Sequence, residues 1–196
     1  MASTFSPLGI ELMATGENAG TWGTKTNTNL SIFEQITGGF TQQALTSGGT
    51  VTLSVSDGST GATLAHRMIE FTGSLSGSAV VTIPLDVQTF YFIRNSSSGA
   101  QTVQFKYVTG SGNSVTFATD DKGDKIVFAS ANDVTNPDII DLGVVTPAAA
   151  QTLTNKTLTS PKIGTSILDT NGNELFLLTA TGSAVNELTY ANAATG

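Results

Sequence analysis

Val51-Thr52-Leu53-Ser54-Val55 alternates apolar and polar residues and runs into Ser56-Asp57-Gly58. Strict alternation puts every second side chain on one side of an extended chain, and the Asp-Gly pair is a turn signal. The same pattern repeats downstream. Further strands are predicted over 64–71, 79–83, 89–94, 101–108, 114–117, 125–129 and 139–142, separated by Gly, Ser, Asn and Asp. Short strands at this spacing predict an antiparallel β-sandwich or a barrel-like domain over 45–142. Phe71, Phe90, Tyr91, Phe92, Phe105, Tyr107, Phe117 and Phe128 all fall within it, enough aromatic volume for one compact core.

Composition agrees with a chain made mostly of sheet. Charged residues make up 12% of the 196 positions, about half of the ~25% typical of globular domains. Disordered chains show the reverse, high charge and few β-branched residues. The expectation is of strands whose outward faces carry Thr, Ser and Asn. Net charge is −7 with the few Lys and Arg scattered, so the clustered positive charge that nucleic-acid binding requires is missing. Cysteine is absent, which excludes disulfides and thiolate metal sites. No apolar run approaches the ~18 residues of a membrane span. Met1 to Leu8 has neither the basic start nor the apolar run of a signal peptide, so synthesis in a cytoplasm without a cleavable leader is expected.

Residues 1–44 read as a separate segment. In the loop from Thr15 to Gly23, three glycines, Gly16, Gly20 and Gly23, surround the only Trp of the chain, Trp22. Asn27 or Asn29 can cap a short helix by accepting a free first-turn N–H. Leu30, Phe33 and Ile36 then recur at threes, with Ile32 four residues before Ile36, giving one apolar stripe. Gly38-Gly39 is expected to stop the helix in the left-handed conformation. About three turns is marginal alone in water, so this helix must dock. Trp22 is then either an anchor in a pocket on another subunit, as Trp often is at binding hot spots, or a lid over its own helix. The shortness of the helix favours the anchor.

Beyond 142 the composition shifts. Residues 143–156, with Pro147-Ala148-Ala149-Ala150, read as a linker. Leu153, Leu158 and Ile163 are spaced at fives, which fits neither a helix nor a strand with a core of its own. Such sparse apolar residues are expected to be buried against other copies around a shared axis, together with Leu175 and Leu177. Residues 157–196 accordingly read as the start of an intertwined β shaft. Asp169-Thr170-Asn171-Gly172-Asn173 between Ile167-Leu168 and Glu174-Leu175-Phe176-Leu177 predicts a hairpin. The end at Ala194-Thr195-Gly196 carries no closing element, and a longer biological chain is expected.

Three stretches resemble virion structural proteins of tailed bacteriophages, particularly tail fibres of marine and cyanobacterial phages. They are Gly16 through Gly20-Thr21-Trp22-Gly23-Thr24 to Asn27 and Asn29-Leu30; Gln151-Thr152-Leu153-Thr154-Asn155-Lys156-Thr157-Leu158-Thr159-Ser160-Pro161; and Asp169 to Glu174 with Asn186 to Gly196. Together they span under half of the chain. The resemblance implies a homotrimer in the virion tail that fastens at its N-terminal part to a tail protein (an adaptor, nozzle or baseplate component), begins a shaft, and meets the host cell surface through a distal part. Trp22, Thr24, Asn27, Leu30, Phe33 and Ile36 are the expected virion-docking residues. A capsid fibre or decoration, a baseplate or tail-tip protein, and the front of a polysaccharide-degrading tailspike with its carboxylates beyond residue 196 are the alternatives.

No catalytic or metal constellation is legible, and no cofactor is implied. His66 is the only histidine, no Gly-x-Ser-x-Gly elbow occurs, and His66 beside Arg67 reads as an ordinary sheet-face residue. Asp120-Asp121-Lys122-Gly123-Asp124 fails the spacing of a calcium loop and carries a competing Lys; it reads as a solvated hairpin turn. Gly23-Thr24-Lys25-Thr26 lacks the Gly-Lys pair and preceding strand of a phosphate loop. Glu70, Asp86 and Asp141 lie in or beside separate strands, with no spacing of a glycosidase pair.

Overall fold

A computed structural model describes residues 2–119 and 122–143, together with the backbone of three strands at 166–168, 174–177 and 189–190. The chain divides into two compact units, Met1–Gln151 and Thr152–Gly196, taken separately below.

The first unit opens with an antiparallel pair, β1 (Thr4–Phe5) and β2 (Glu11–Leu12), followed by helix α1 (Trp22–Gly38). Strands β3 (Phe40–Ala44) and β4 (Thr50–Thr52) come next, then a 3-10 turn at Thr63–Ala65 and β5 (Met68–Thr72). They are followed by β6 (Ala79–Ile83), β7 (Thr89–Asn95), β8 (Val103–Tyr107), β9 (Val115–Phe117), β10 (Gly123–Ala129) and β11 (Ile139–Asp141). The fold is mainly β, as the alternation predicts. The pairing differs from the expectation. One sheet has the order β11-β10-β7-β5-β3 and the other β4-β6-β8-β9. From β3 to β8 the chain therefore changes sheet at every step, and β3, β5 and β7 stack in parallel, as do β4, β6 and β8. Within these two sheets antiparallel pairing is confined to β8 with β9, β10 with β7, and β10 with β11. The Asp57-Gly58 turn forms, with Gly58 at φ +63° and Ser59 N–H donating to Ser56 O, but it belongs to a crossing between sheets rather than a hairpin.

Stacked parallel strands require stacked corners, and small residues supply them. Strands lie ~4.8 Å apart, so successive corners touch through backbone and hydroxyls. Ser47 Oγ accepts from Ser76 N–H at 2.6 Å and from Gly77 N–H at 3.0 Å. Leu75 N–H donates to Ser98 O at 3.0 Å, and Leu45 N–H to Thr72 O at 2.8 Å. At Gly99, φ +90°, a Cβ would sit 2.1 Å from Leu75 O, so only glycine fits. The sequence shows this coil in Ser47-Gly48-Gly49, Ser76-Gly77-Ser78 and Ser98-Gly99-Ala100, each just ahead of a strand.

The core lies between the two sheets. Ile69, Phe71, Tyr91, Ile93 and Val127 from one meet Val81, Ile83, Val103, Phe105 and Phe117 from the other. Phe105 sits at its centre, 6.3 Å from the Phe71 ring and 6.2 Å from Tyr91. Tyr91 keeps its hydroxyl satisfied by donating to Leu64 O at 3.0 Å, and burial pushes that hydroxyl's pKa up. Phe90 and Phe92, counted with the core in the sequence, point the other way and are exposed.

In the second unit β12 (Ser166–Leu168), β13 (Glu174–Leu177) and β14 (Thr189–Tyr190) form an antiparallel sheet in that order. β12 and β13 pair antiparallel, as predicted for 167–168 and 174–177, with a register shift at Ile167/Leu168; the turn residues 169–173 lie outside the described residues. Leu175 and Leu177 lie on β13; Leu153, Leu158 and Ile163, the other expected axis residues, lie outside the described residues, as do the linker positions 144–156. Among the described residues no helix is long and apolar enough to cross a membrane.

Candidate interaction site

Helix α1 is 17 residues long and begins at Trp22, so the indole belongs to its first turn and not to the preceding loop. Neither expected cap operates: Thr21 is the N-cap residue and makes no side-chain cap bond. Asn29 is instead a clasp. Its Oδ1 accepts Glu11 N–H and its Nδ2 donates to Glu11 O, both at 2.9 Å. At the other end Gly39 has φ −69°, an extended and not a left-handed exit. Glycine is needed there for space, because a Cβ would lie 2.8 Å from Gln35 and 2.9 Å from the His66 ring. Gln35 O also accepts Arg67 N–H at 3.1 Å, which ties the end of α1 to the start of β5.

These clasps decide which way the helix faces. Ile32 is fully buried, whereas Trp22 is 66%, Leu30 60% and Phe33 57% exposed. At 3.6 residues per turn, Trp22, Phe33 and Leu30 fall within about 80° of one another around the axis, so they form one outward stripe. Ile36 is half-buried, between this stripe and the Ile32 side. Thr24 and Asn27 are exposed; Thr24 projects from the opposite side of the helix, whereas Asn27, one turn before Leu30 and about 60° from it around the axis, flanks the stripe. The expected docking set thus divides: Trp22, Leu30 and Phe33 share one side with Asn27 at its edge, and Thr24 is not among them. An indole two-thirds exposed is not a lid over its own helix.

Glu11 holds the arrangement electrostatically. Its carboxylate accepts from Asn18 Nδ2 at 3.1 Å and pairs with Lys25 Nζ at 2.9 Å, with the Glu11 side chain 5% exposed. The Lys25 hydrogen bond, opposed by desolvation and aided by Asn18, holds its pKa below the ordinary 4.5. A depressed carboxyl pKa contributes stability that is complete above the unfolded value and is lost as pH falls through the folded one. The melting temperature is therefore expected to fall on acidification below about pH 4.5, with Glu70, Asp124 and Asp133 acting in the same direction. Glu11→Gln should flatten part of that slope; an identical Tm-against-pH curve for the variant would contradict this account.

The chemistry beside the helix is plain. A depression of ≈ 670 Å³ lies at the C-terminal end of α1, lined by Glu34, Gln35, Phe40, Thr60 and His66 among others. His66 caps the Thr63–Ala65 turn and does not lie in a strand; its Nδ1 is 2.8 Å from Ala62 O. Asp124 belongs to β10 and forms a two-point ion pair with Arg94 of β7, at 2.7 and 3.0 Å. Asp120 and Asp121 lie outside the described residues. Among the described residues no group of three His, Cys, Asp or Glu is placed to hold a metal ion.

A second apolar surface escaped the sequence reading. The outward face of the four-stranded sheet is polar as expected, with Thr82 donating to Thr52 at 2.9 Å and Gln104 to Ser114 at 3.0 Å. The outward face of the five-stranded sheet is not. Registered pairs align Phe40, Met68, Phe92 and Ile126 across β3, β5, β7 and β10, and a second row joins Phe90, Phe128 and Ile140. The available signal was Phe90-Tyr91-Phe92-Ile93, an unbroken apolar run that marks a strand covered on both sides. Comparison with protein families, curated proteins and solved structures finds no match to this chain.

Proposed function

We propose that the chain is a virion structural protein, the N-terminal part of a trimeric phage tail fibre. In this reading α1 docks on a tail protein, the β domain forms a collar, and the chain from Gln151 onward intertwines with two copies to begin the shaft used in host adsorption. Its work is mechanical and interfacial, not catalytic. The observation that carries the reading is the outward stripe of Trp22, Leu30 and Phe33, on the stretch that resembles phage fibre N-termini. Burying large apolar side chains yields ~1.5–3 kcal/mol each, and the clasps from Glu11 and Gln35 present the stripe already oriented, which lowers the ordering cost of binding.

Trp22→Ala tests it. The variant is expected to keep the circular dichroism of the parent and to lose docking by about 2 kcal/mol or more, roughly thirtyfold, as buried Trp anchors do. The readout is the fraction of particles carrying the protein after complementation with the variant. Thr24→Ala, off the stripe, is expected to incorporate normally. Normal incorporation of the Trp22 variant would refute the anchoring role.

A further inference from the structure

We propose that the outward face of the five-stranded sheet is a self-association surface, covered by second copies of this chain. It goes beyond the particle reading and stands without it, because it concerns the purified protein alone. Six side chains there, Phe40, Met68, Phe90, Phe92, Ile140 and Leu142, are 38% to 54% exposed, and Leu142 follows the row through its N–H bond to Ile126 O. At ~200 Å² for each large side chain, this is roughly 500 Å² of apolar surface. That is the size of the largest apolar patch on a typical monomer, roughly 300–600 Å², which is often a functional surface. The area also matches what a stable assembly needs: about 800 Å² per partner, some 65% of it apolar between identical subunits.

Charge identifies the occupant. The chain carries −7 overall, so most of its surface repels a second copy. The charges on this face cancel among themselves. Arg94 is paired with Asp124, Gln42 and Ser96 hold Glu70, and the Arg67 guanidinium lies 4.0 Å above the Phe90 ring. Two cations and two anions leave the face neutral, with each carboxylate already hydrogen-bonded. Such a face meets its own kind without repulsion and offers no unpaired charge to a strongly basic or acidic partner. The other sheet, polar outward, shows that the apolar rows are a local feature and not a general property of these strands.

The wild-type chain is expected to sediment as an oligomer at tens of micromolar. Met68→Lys with Phe92→Lys alters only outward positions and puts like charges into every copy of the patch. It is expected to weaken association about a hundredfold with the β-type circular dichroism retained. Because the chain has no cysteine, Met68→Cys gives a single thiol in the middle of the face, and Thr116→Cys a control on the other sheet. Maleimide should label Met68→Cys about tenfold more slowly than Thr116→Cys in the oligomer, with the difference vanishing on dilution. A monomeric wild type, a folded double-lysine variant of unchanged association, or equal labelling of the two thiols would each overturn the proposal. If the double-lysine variant fails to fold, Phe40→Ser on edge strand β3 and the labelling comparison decide.

Discussion

Phe105→Ala is expected to lower the free energy of unfolding by about 3–5 kcal/mol, the usual cost of emptying a buried aromatic site. Phe105 is fully buried on β8 and touches the opposite sheet through Phe71 and Tyr91. Its neighbours are held by strand pairing on both sides, with Val81 on β6 and Val115 on β9 in register with it. The cavity therefore cannot collapse without moving a sheet. A loss of that size is a large part of the 5–15 kcal/mol that holds most domains. Urea titration followed by circular dichroism measures it. Phe92→Ala, on β7 of the opposite sheet and facing outward, should cost under about 1 kcal/mol in the same assay at low protein concentration; equal losses for the two would contradict the assignment of faces.

Gly99→Ala is expected to cost about 3 kcal/mol or more from the addition of one methyl group. Two penalties coincide there. The backbone angle of +90° disfavours any side chain, and the new Cβ would lie 2.1 Å from Leu75 O, inside the contact that stacks one corner on the next. Gly48 separates the two terms. It has φ +66° with open space around it, so Gly48→Ala carries the conformational penalty alone, ~1–2 kcal/mol. Thermal denaturation of both variants should show Gly99→Ala melting several degrees below Gly48→Ala. If they melt together, the corners do not stack as closely as the coil requires.

The strands were legible because alternation survives whatever the neighbour. Residues 79–83 were predicted as a strand, and β6 occupies the same span; β7, β8 and β9 differ from expectation only at their ends. Pairing direction was not legible, since parallel and antiparallel partners impose the same period of two. It is written in the corners, in serine and glycine before β4, β6 and β8, which alternation does not weigh. The helix was foreseen from Leu30, Ile32, Phe33 and Ile36 but placed too late, because Asn27 and Asn29 look like caps while Asn29 is occupied with Glu11. Trp22 and Leu30, two of the expected docking residues, are exposed, yet nothing local distinguishes them from Thr24; only the turn of the helix does. Phe90 and Phe92 were assigned to the interior because hydrophobicity was counted without asking which side each residue faces.

The alternation of the chain between its two sheets has a consequence for how such a protein changes length. Each circuit from β3 to β4, β5 to β6 and β7 to β8 repeats the same contacts one level up. Duplicating one circuit in the gene would insert a new storey about 4.8 Å high, with its own serine-glycine corner and its own pair of inward residues, and leave the closing strands β9, β10 and β11 paired as before. A ruler is therefore built into the coil, graduated in circuits, and its reading can be altered by recombination without redesigning the strands that close it.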